Sequence, residues 1–208
     1  GAATAVAAKY LARKDSQTLG LVACGVQGVS NLSALKAVFD LKKVKVFDID
    51  EKKADAFAKK YTQEFELEIE RVKTPKEAVK GLDLVVTSGP ILKKPTPVIE
   101  KNWLTPGSFY CPLDFDSYFT GSAFDACDLL LTDDVTQLNY YRKSGYFAET
   151  PEVSYDLGHL LSGQIEGRTS DEQITMAINL GLALDDMVMA KLVYERAIKM
   201  NLGTRLDL

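Results

Sequence analysis

The stretch Leu19-Gly20-Leu21-Val22-Ala23-Cys24-Gly25-Val26-Gln27-Gly28 constrains this chain more than any other. Leu19 to Cys24 is an apolar run whose length and flanks read as a buried strand, and Val29 to Phe39 carries Leu32, Leu35, Val38 and Phe39 at helical spacing. Between them the small residues Ala23, Gly25 and Gly28 mark a strand-to-helix turn. Small residues there serve a tight turn, close approach of a pyrophosphate to backbone N–H groups, and close packing of helix on strand. The N–H groups and the helix dipole then hold the phosphates. Gly25 and Gly28 fill the second and third places of that fingerprint, with Val26 and Gln27 between them, and Ala23 fills the first. Alanine there costs about 1–2 kcal/mol if the backbone must turn left-handed.

Context strengthens the motif. KVKVFDI, 43 to 49, alternates as a second strand and ends in Asp48, twenty residues after Gly28. A carboxylate there can accept hydrogen bonds from an adenosine ribose and would repel a 2′-phosphate, which favours NAD over NADP. Lys52 and Lys53 weaken that preference, Asp50 and Glu51 restore it, and Ile49 joins the candidate cofactor site. The competing reading is a plain strand–helix turn with Asp48 as a strand-end cap.

Further strands are expected at 67–72, 82–89, 108–113 and 128–134. Helices are expected at 1–13, after Asp50, from Thr74 to Lys80 behind a capping box, and from Asp116 to Ala126. Strands alternating with helices at this interval predict an α/β fold of the Rossmann type, a doubly wound, mainly parallel sheet with helices on both faces. A second capping box, Ser170-Asp171-Glu172-Gln173, predicts a long C-terminal helix with a stripe of Ala183, Met187, Ala190, Tyr194 and Ala197 that wants a partner surface. The expected division is 1–16 as a connecting helix, 17–150 as the dinucleotide-binding domain, and 151–208 as a C-terminal helical extension that packs on that domain or returns to a missing one.

In 208 residues of 46% hydrophobic content there is enough for a full core, and charge interrupts every apolar run before the ~18–20 residues of a membrane span. With 25 basic residues spread among 29 acidic ones, no nucleic-acid footprint is expected, and small molecules or protein surfaces are the expected partners. Cys24, Cys111 and Cys127 show no CxxC spacing and read as packing residues in a reducing, cytoplasmic setting.

Ligands of open α/β sheets bind at the carboxyl ends of the strands. Thr87-Ser88-Gly89 ends one strand with small hydrogen-bonding residues that could line the ribose and nicotinamide side. Leu113-Asp114-Phe115-Asp116 ends the next; if it stays extended, Asp114 and Asp116 share a face, where one could take protons or orient a substrate ammonium, or instead cap a helix. Asp133 and Asp134 lack a histidine or third carboxylate nearby in sequence, so no metal site is expected, and His159, set among apolar residues, reads as structural.

Taken together, GAATAVAAKYLARKDS, LVACGVQG, SYDLGHLLSGQIEGRTSDEQIT and NLGLALDDMVMAKLVYERA resemble the ornithine cyclodeaminase/mu-crystallin family, which includes alanine dehydrogenase and ketimine reductase members. The resemblance covers nearly the whole chain. It implies an NAD(H)-binding domain of an enzyme that handles an amino acid or cyclic imine, by cyclodeamination, oxidative deamination or imine reduction, in a homodimeric parent. It further implies that the lysine and arginine gripping the substrate carboxylate lie in a domain before residue 1, so that this chain alone is inactive; a non-catalytic dinucleotide-dependent module is the alternative of another class. Carried onto this sequence, it makes Gly25 to Gly28 the phosphate loop, Asp48 the ribose acid and Asp116 the catalytic aspartate that contacts the substrate amino group. Asn179, Leu180 and Gly181 fall where the family has Ser-x-Gly near the nicotinamide. Ala23, Asn179 and the stretch PLDFDSYF depart from the family pattern.

Overall fold

The computed structural model describes residues 1–204 and 206. Its strands are β1 (Thr18–Val22), β2 (Lys43–Phe47), β3 (Glu68–Arg71), β4 (Leu84–Thr87), β5 (Phe109–Pro112), β6 (Leu129–Thr132) and β7 (Thr175–Ile178). They form one sheet in the order β3-β2-β1-β4-β5-β7-β6, with every pairing parallel. The helices are α1 (Ala2–Leu11), α2 (Val26–Lys36), α3 (Glu51–Phe65), α4 (Gly121–Asp125), α5 (Val135–Lys143), α6 (Leu157–Leu161) and α7 (Ala183–Lys199).

Parallel strands joined by crossover helices are covered on both faces, which is why the central strands are apolar almost without interruption. On one face Leu19, Leu21, Leu84 and Val86 pack against Leu11 of α1, Leu32 and Leu35 of α2, and Leu160 of α6. On the other, Val22, Val85, Tyr110 and Met176 meet Val79, Phe124 of α4 and Leu138 of α5. Gly20 in β1 is required by close approach, since a Cβ there would collide with the Ala78 carbonyl.

Arg168 ties the N-terminal edge together. Its Nε donates to Leu11 O (2.7 Å), Nη1 to Ser170 O (3.1 Å) and Gln173 O (2.6 Å), and Nη2 to Ser108 O and Thr175 Oγ1 (3.1 Å each). The end of α1 and the starts of β5 and β7 are thereby fixed to one guanidinium.

The doubly wound parallel sheet and the C-terminal helix agree with the sequence; four local expectations do not. No helix follows Ser170-Asp171-Glu172-Gln173. Gln173 Oε1 does accept from Thr169 N (2.7 Å) and Ser170 N (3.2 Å), as half of a capping box would. Thr175–Ile178 then pairs as β7 between β5 and β6, so the 151–208 segment is not wholly helical. A strand buried on both faces has no period, and its apolar run mimics the start of a helix. The expected helix over 116–126 contracts to α4, with Asp116 to Thr120 irregular. The box at Thr74 forms, with Thr74 N donating to Glu77 Oε2 (2.9 Å), yet residues 75–81 make turns instead of a regular helix. Asp114 and Asp116 do not share a strand face, because β5 ends at Pro112 and Phe115 turns left-handed (φ 60°). Of the expected C-terminal segment, residues 205, 207 and 208 lie outside the described residues.

Candidate functional site

The strand order reverses between β1 and β4, and the glycine loop leaves the sheet there. Ala23 N donates to Phe47 O (2.8 Å) and Ser88 N to Val22 O (2.9 Å), so the ends of β2, β1 and β4 stay in register past the last strand residues. Ala23 adopts φ 82°, the left-handed region that alanine enters only at a cost. Gly25 is extended, caps α2 without a side-chain hydrogen bond, and has open space where a Cβ would stand. The first amides of α2 have no intrahelical acceptors and face an anion-favouring dipole end. A Cβ on Gly28 would lie 2.9 Å from the Ala23 carbonyl oxygen, so glycine there permits α2 to pack on the end of β1.

An open cleft of ≈ 300 Å³ lies over this loop, lined among others by Ala23, Gly25, Asp48, Ile49, Ser88 and Gly89. Six of the sequence-predicted residues therefore converge on one cleft, and Val26, Gln27 and Gly28 form the adjoining first turn of α2. Ile49 is 87% exposed, an apolar side chain held at the cleft instead of in the core.

Asp48 is already engaged. Its Oδ2 accepts from Cys24 N (2.8 Å) and its Oδ1 from Asp50 N (2.9 Å), so the carboxylate fixes the glycine loop to the start of the β2–α3 connection. Asp48 thus ties the strand ends together and also lines the cleft. Asp50 caps α3 through Lys52 N (3.0 Å), while Lys53 joins the cleft lining as a cation.

Thr87 does not line the cleft. It is fully buried, and its Oγ1 donates to Asp114 Oδ1 at 2.7 Å; Asp114 Oδ2 accepts from Gly89 N at 2.8 Å. Burial pushes the Asp114 carboxyl up to about 6 against the lowering effect of these bonds. Leu113, half-buried, continues the β5 ladder by donating N–H to Thr87 O (2.9 Å). Asp116 is 6% exposed, and its Oδ1 is buried without a hydrogen-bond partner among the described residues.

At the end of β7, Asn179 Nδ2 donates to Cys111 Sγ (3.4 Å) and its Oδ1 is likewise buried and unpartnered among the described residues. Leu180 follows half-buried, and Gly181, at φ 92°, donates N–H to Asp133 Oδ2 (2.6 Å). Burial raises the Asp133 carboxyl, and Asp134 caps α5 through Gln137 N (2.7 Å). His159 is structural: with Asp156 it forms the capping box of α6. Cys24 is half-buried, and burial followed by the Asp48 charge pushes its thiol up to about 12. Among the described residues no cluster of three or more His, Cys, Asp or Glu could hold a metal, and no helix is long and apolar enough to cross a membrane.

Sequence reasoning missed Tyr118 and Pro90, both on the cleft wall. The only signal for Tyr118 was its place two residues after Asp116 in PLDFDSYF, a stretch read for its carboxylates.

Residues 1–201 match the sequence model of the ornithine cyclodeaminase/mu-crystallin family. The chain belongs to this family. Its relatives include an alanine dehydrogenase of Archaeoglobus fulgidus, 33% identical over 99% of this chain and 65% of that protein. Family architecture is equally clear in solved structures. The Thermococcus litoralis Delta(1)-pyrroline-2-carboxylate reductase in complex with NADH and L-proline matches with a TM-score of 0.85 at 28% identity, over 98% of this chain and 65% of that one. An archaeal alanine dehydrogenase dimer with bound NAD matches with a TM-score of 0.84 at 30% identity, over 99% and 65% respectively. The chain thus spans 65% of the length of each of these family members.

Proposed function

We propose that this chain is the NAD(H)-binding unit of an enzyme that exchanges hydride between the dinucleotide and an amino acid or its imine. The observation that carries the reading is the cleft at the strand-order reversal, where Gly28 is forced by the Ala23 carbonyl, α2 starts without a side-chain cap, and Asp48 stands at the wall. These residues fit a dinucleotide. The α2 amides would take the pyrophosphate, Asp48 and Ile49 the adenosine half, and Ser88 and Gly89 the segment beyond it. Asn179 to Gly181 and Leu113 would flank the nicotinamide. The likeness to relatives whose structures hold NADH or NAD supports the same assignment.

When bound, the nicotinamide accepts or returns the hydride at the substrate's α-carbon. In this chain, Asp116 Oδ1 is a buried acceptor that an ammonium or iminium group would satisfy, which makes Asp116 the candidate catalytic residue. Alanine dehydrogenase and pyrroline-carboxylate reductase relatives favour deamination or imine reduction. Membership in the cyclodeaminase family keeps cyclodeamination alongside it, with product analysis deciding.

In the parent protein we place α7 outside the Rossmann unit, packed on a further domain or a second copy, as the dimeric relative suggests. We place the protein in the cytoplasm, where its free cysteines stay reduced.

Calorimetric titration of the chain with NADH and NADPH tests the shared premise. NADH is expected to bind more tightly than NADPH, and absence of binding by both at millimolar concentration sinks the reading. In the parent protein, Asp116→Asn is expected to abolish turnover of ornithine, alanine or cyclic imines while leaving NADH affinity intact.

A further inference from the structure

Tyr118 lines the cleft without belonging to the glycine fingerprint or to the Thr87–Asp114–Gly89 hydrogen bonds. It reaches the cleft from the segment beyond β5 with the hydroxyl end of its ring against Gly89: a Cβ there would meet the hydroxyl oxygen first, then Cε2 at 2.5 Å and Cζ at 2.7 Å. A side chain at 89 would thus require the end of the Tyr118 ring to shift.

The backbone that carries the ring is held on both sides. Tyr118 O accepts from Val98 N (3.0 Å) and Ile99 N (2.8 Å), and Ser117 Oγ accepts from Leu92 N (3.0 Å). Phe119 is buried against Tyr110, and Phe115 against Tyr141, Tyr146 and Phe147, so two aromatic anchors flank one half-exposed phenol. A backbone fixed this way at the rim of a cleft presents its side chain to a ligand from a preset position. Burial, then the charges of Asp114 and Asp48, push the phenol pKa up. The group therefore stays a neutral donor on a wall that also carries the carboxylates Asp48 and Asp50 and the Lys53 ammonium.

We propose that Tyr118 is a dinucleotide contact, its hydroxyl donating a hydrogen bond to the phosphate–ribose on the nicotinamide side of the cofactor where it crosses Gly89. The proposal rests on the dinucleotide reading above. It assigns to the divergent PLDFDSYF stretch a second role besides supplying Asp116, and it explains why Gly89 and Tyr118 occur together.

The test is calorimetric titration of wild type and Tyr118→Phe with NADH, ADP-ribose and AMP. Phenylalanine keeps the ring on Gly89 and removes only the donor. The variant is expected to bind NADH and ADP-ribose about five- to tenfold more weakly, the loss of one hydrogen bond, and AMP, which lacks the distal phosphate–ribose, as wild type does. Unchanged NADH affinity, or an equal loss for AMP, overturns the proposal. Failure of wild type itself to bind NADH strikes the dinucleotide reading instead, and the two failures are told apart by that control. Should Tyr118→Phe not fold, 3-fluorotyrosine placed at position 118 of the otherwise native chain is read by fluorine NMR. A resonance that moves with NADH and ADP-ribose but not with AMP supports the contact, and one that ignores NADH overturns it.

Discussion

Asp114 and Gly89 are joined across the ends of β5 and β4: the carboxylate Oδ2 accepts the glycine N–H at 2.8 Å, while Oδ1 takes the Thr87 hydroxyl at 2.7 Å. The segment that lines the cleft therefore hangs from one buried carboxyl. Its pKa rises from 3.8 to about 6, with burial the dominant cause. Because the folded value exceeds the unfolded one, the native state binds the proton more tightly, and stability is lost as pH climbs from about 4 through about 6. Asp114→Asn can accept from Gly89 and donate to Thr87, so it is expected to flatten that part of the pH profile; urea midpoints measured from pH 4 to 7 check this. Asp133, raised in the same direction by burial, contributes a slope of the same sign. Asp114→Ala leaves two buried groups unpaired and should cost about 1–3 kcal/mol at pH 7.

Ala23 stands at φ 82° in the first glycine position. Replacing it by glycine relieves left-handed strain of about 1–2 kcal/mol and gives back part of that as unfolded-chain entropy, for a net stabilisation of about 0.5–1 kcal/mol. A Tm for Ala23→Gly at or below that of wild type would contradict the strain argument.

Gly28 tests the opposite sign. An added Cβ meets backbone, the Ala23 carbonyl at 2.9 Å, so α2 must move away from β1. Gly28→Ala is expected to destabilise by about 1–3 kcal/mol and to weaken NADH binding, measured by denaturant titration and calorimetry.

Gly25, Gly28 and Asp48 were legible because the fingerprint is local: its meaning is fixed by the strand before it, the helix after it and one acid twenty residues on. β7 was not legible, because Thr175 to Ile178 is buried on both faces, shows no alternation and follows a capping-box pattern. Thr87 looked like a ligand residue because small polar residues end β4, yet its side chain turns inward to Asp114, a pairing of residues 27 apart that no local pattern records. Tyr118 escaped for the same reason, since its importance comes from Gly89 in another strand end.

Arg168 should be among the least replaceable residues outside the cleft. Its five donated bonds go to carbonyls of Leu11, Ser108, Ser170 and Gln173 and to the Thr175 hydroxyl. Lysine cannot reproduce the fork, so Arg168→Lys is expected to cost about 2–4 kcal/mol in urea unfolding.

The α7 helix exposes Met187 and Tyr194 at 67% each and buries none of its residues. Light scattering of the chain is expected to show concentration-dependent association, reduced by Met187→Glu with Tyr194→Lys. A wild-type monomer at all concentrations counts against this.

The place of β7 between β5 and β6 has a consequence for the order of assembly. On a ribosome, β1 to β5 can pair as soon as each emerges, but β6 has no neighbour until residues 175–178 arrive, because the slot beside β5 is reserved for them. A nascent chain stopped anywhere between about 133 and 174 thus leaves the edge of β5 and the facing edge of β6 unpaired, and β7 acts as the keystone that joins them.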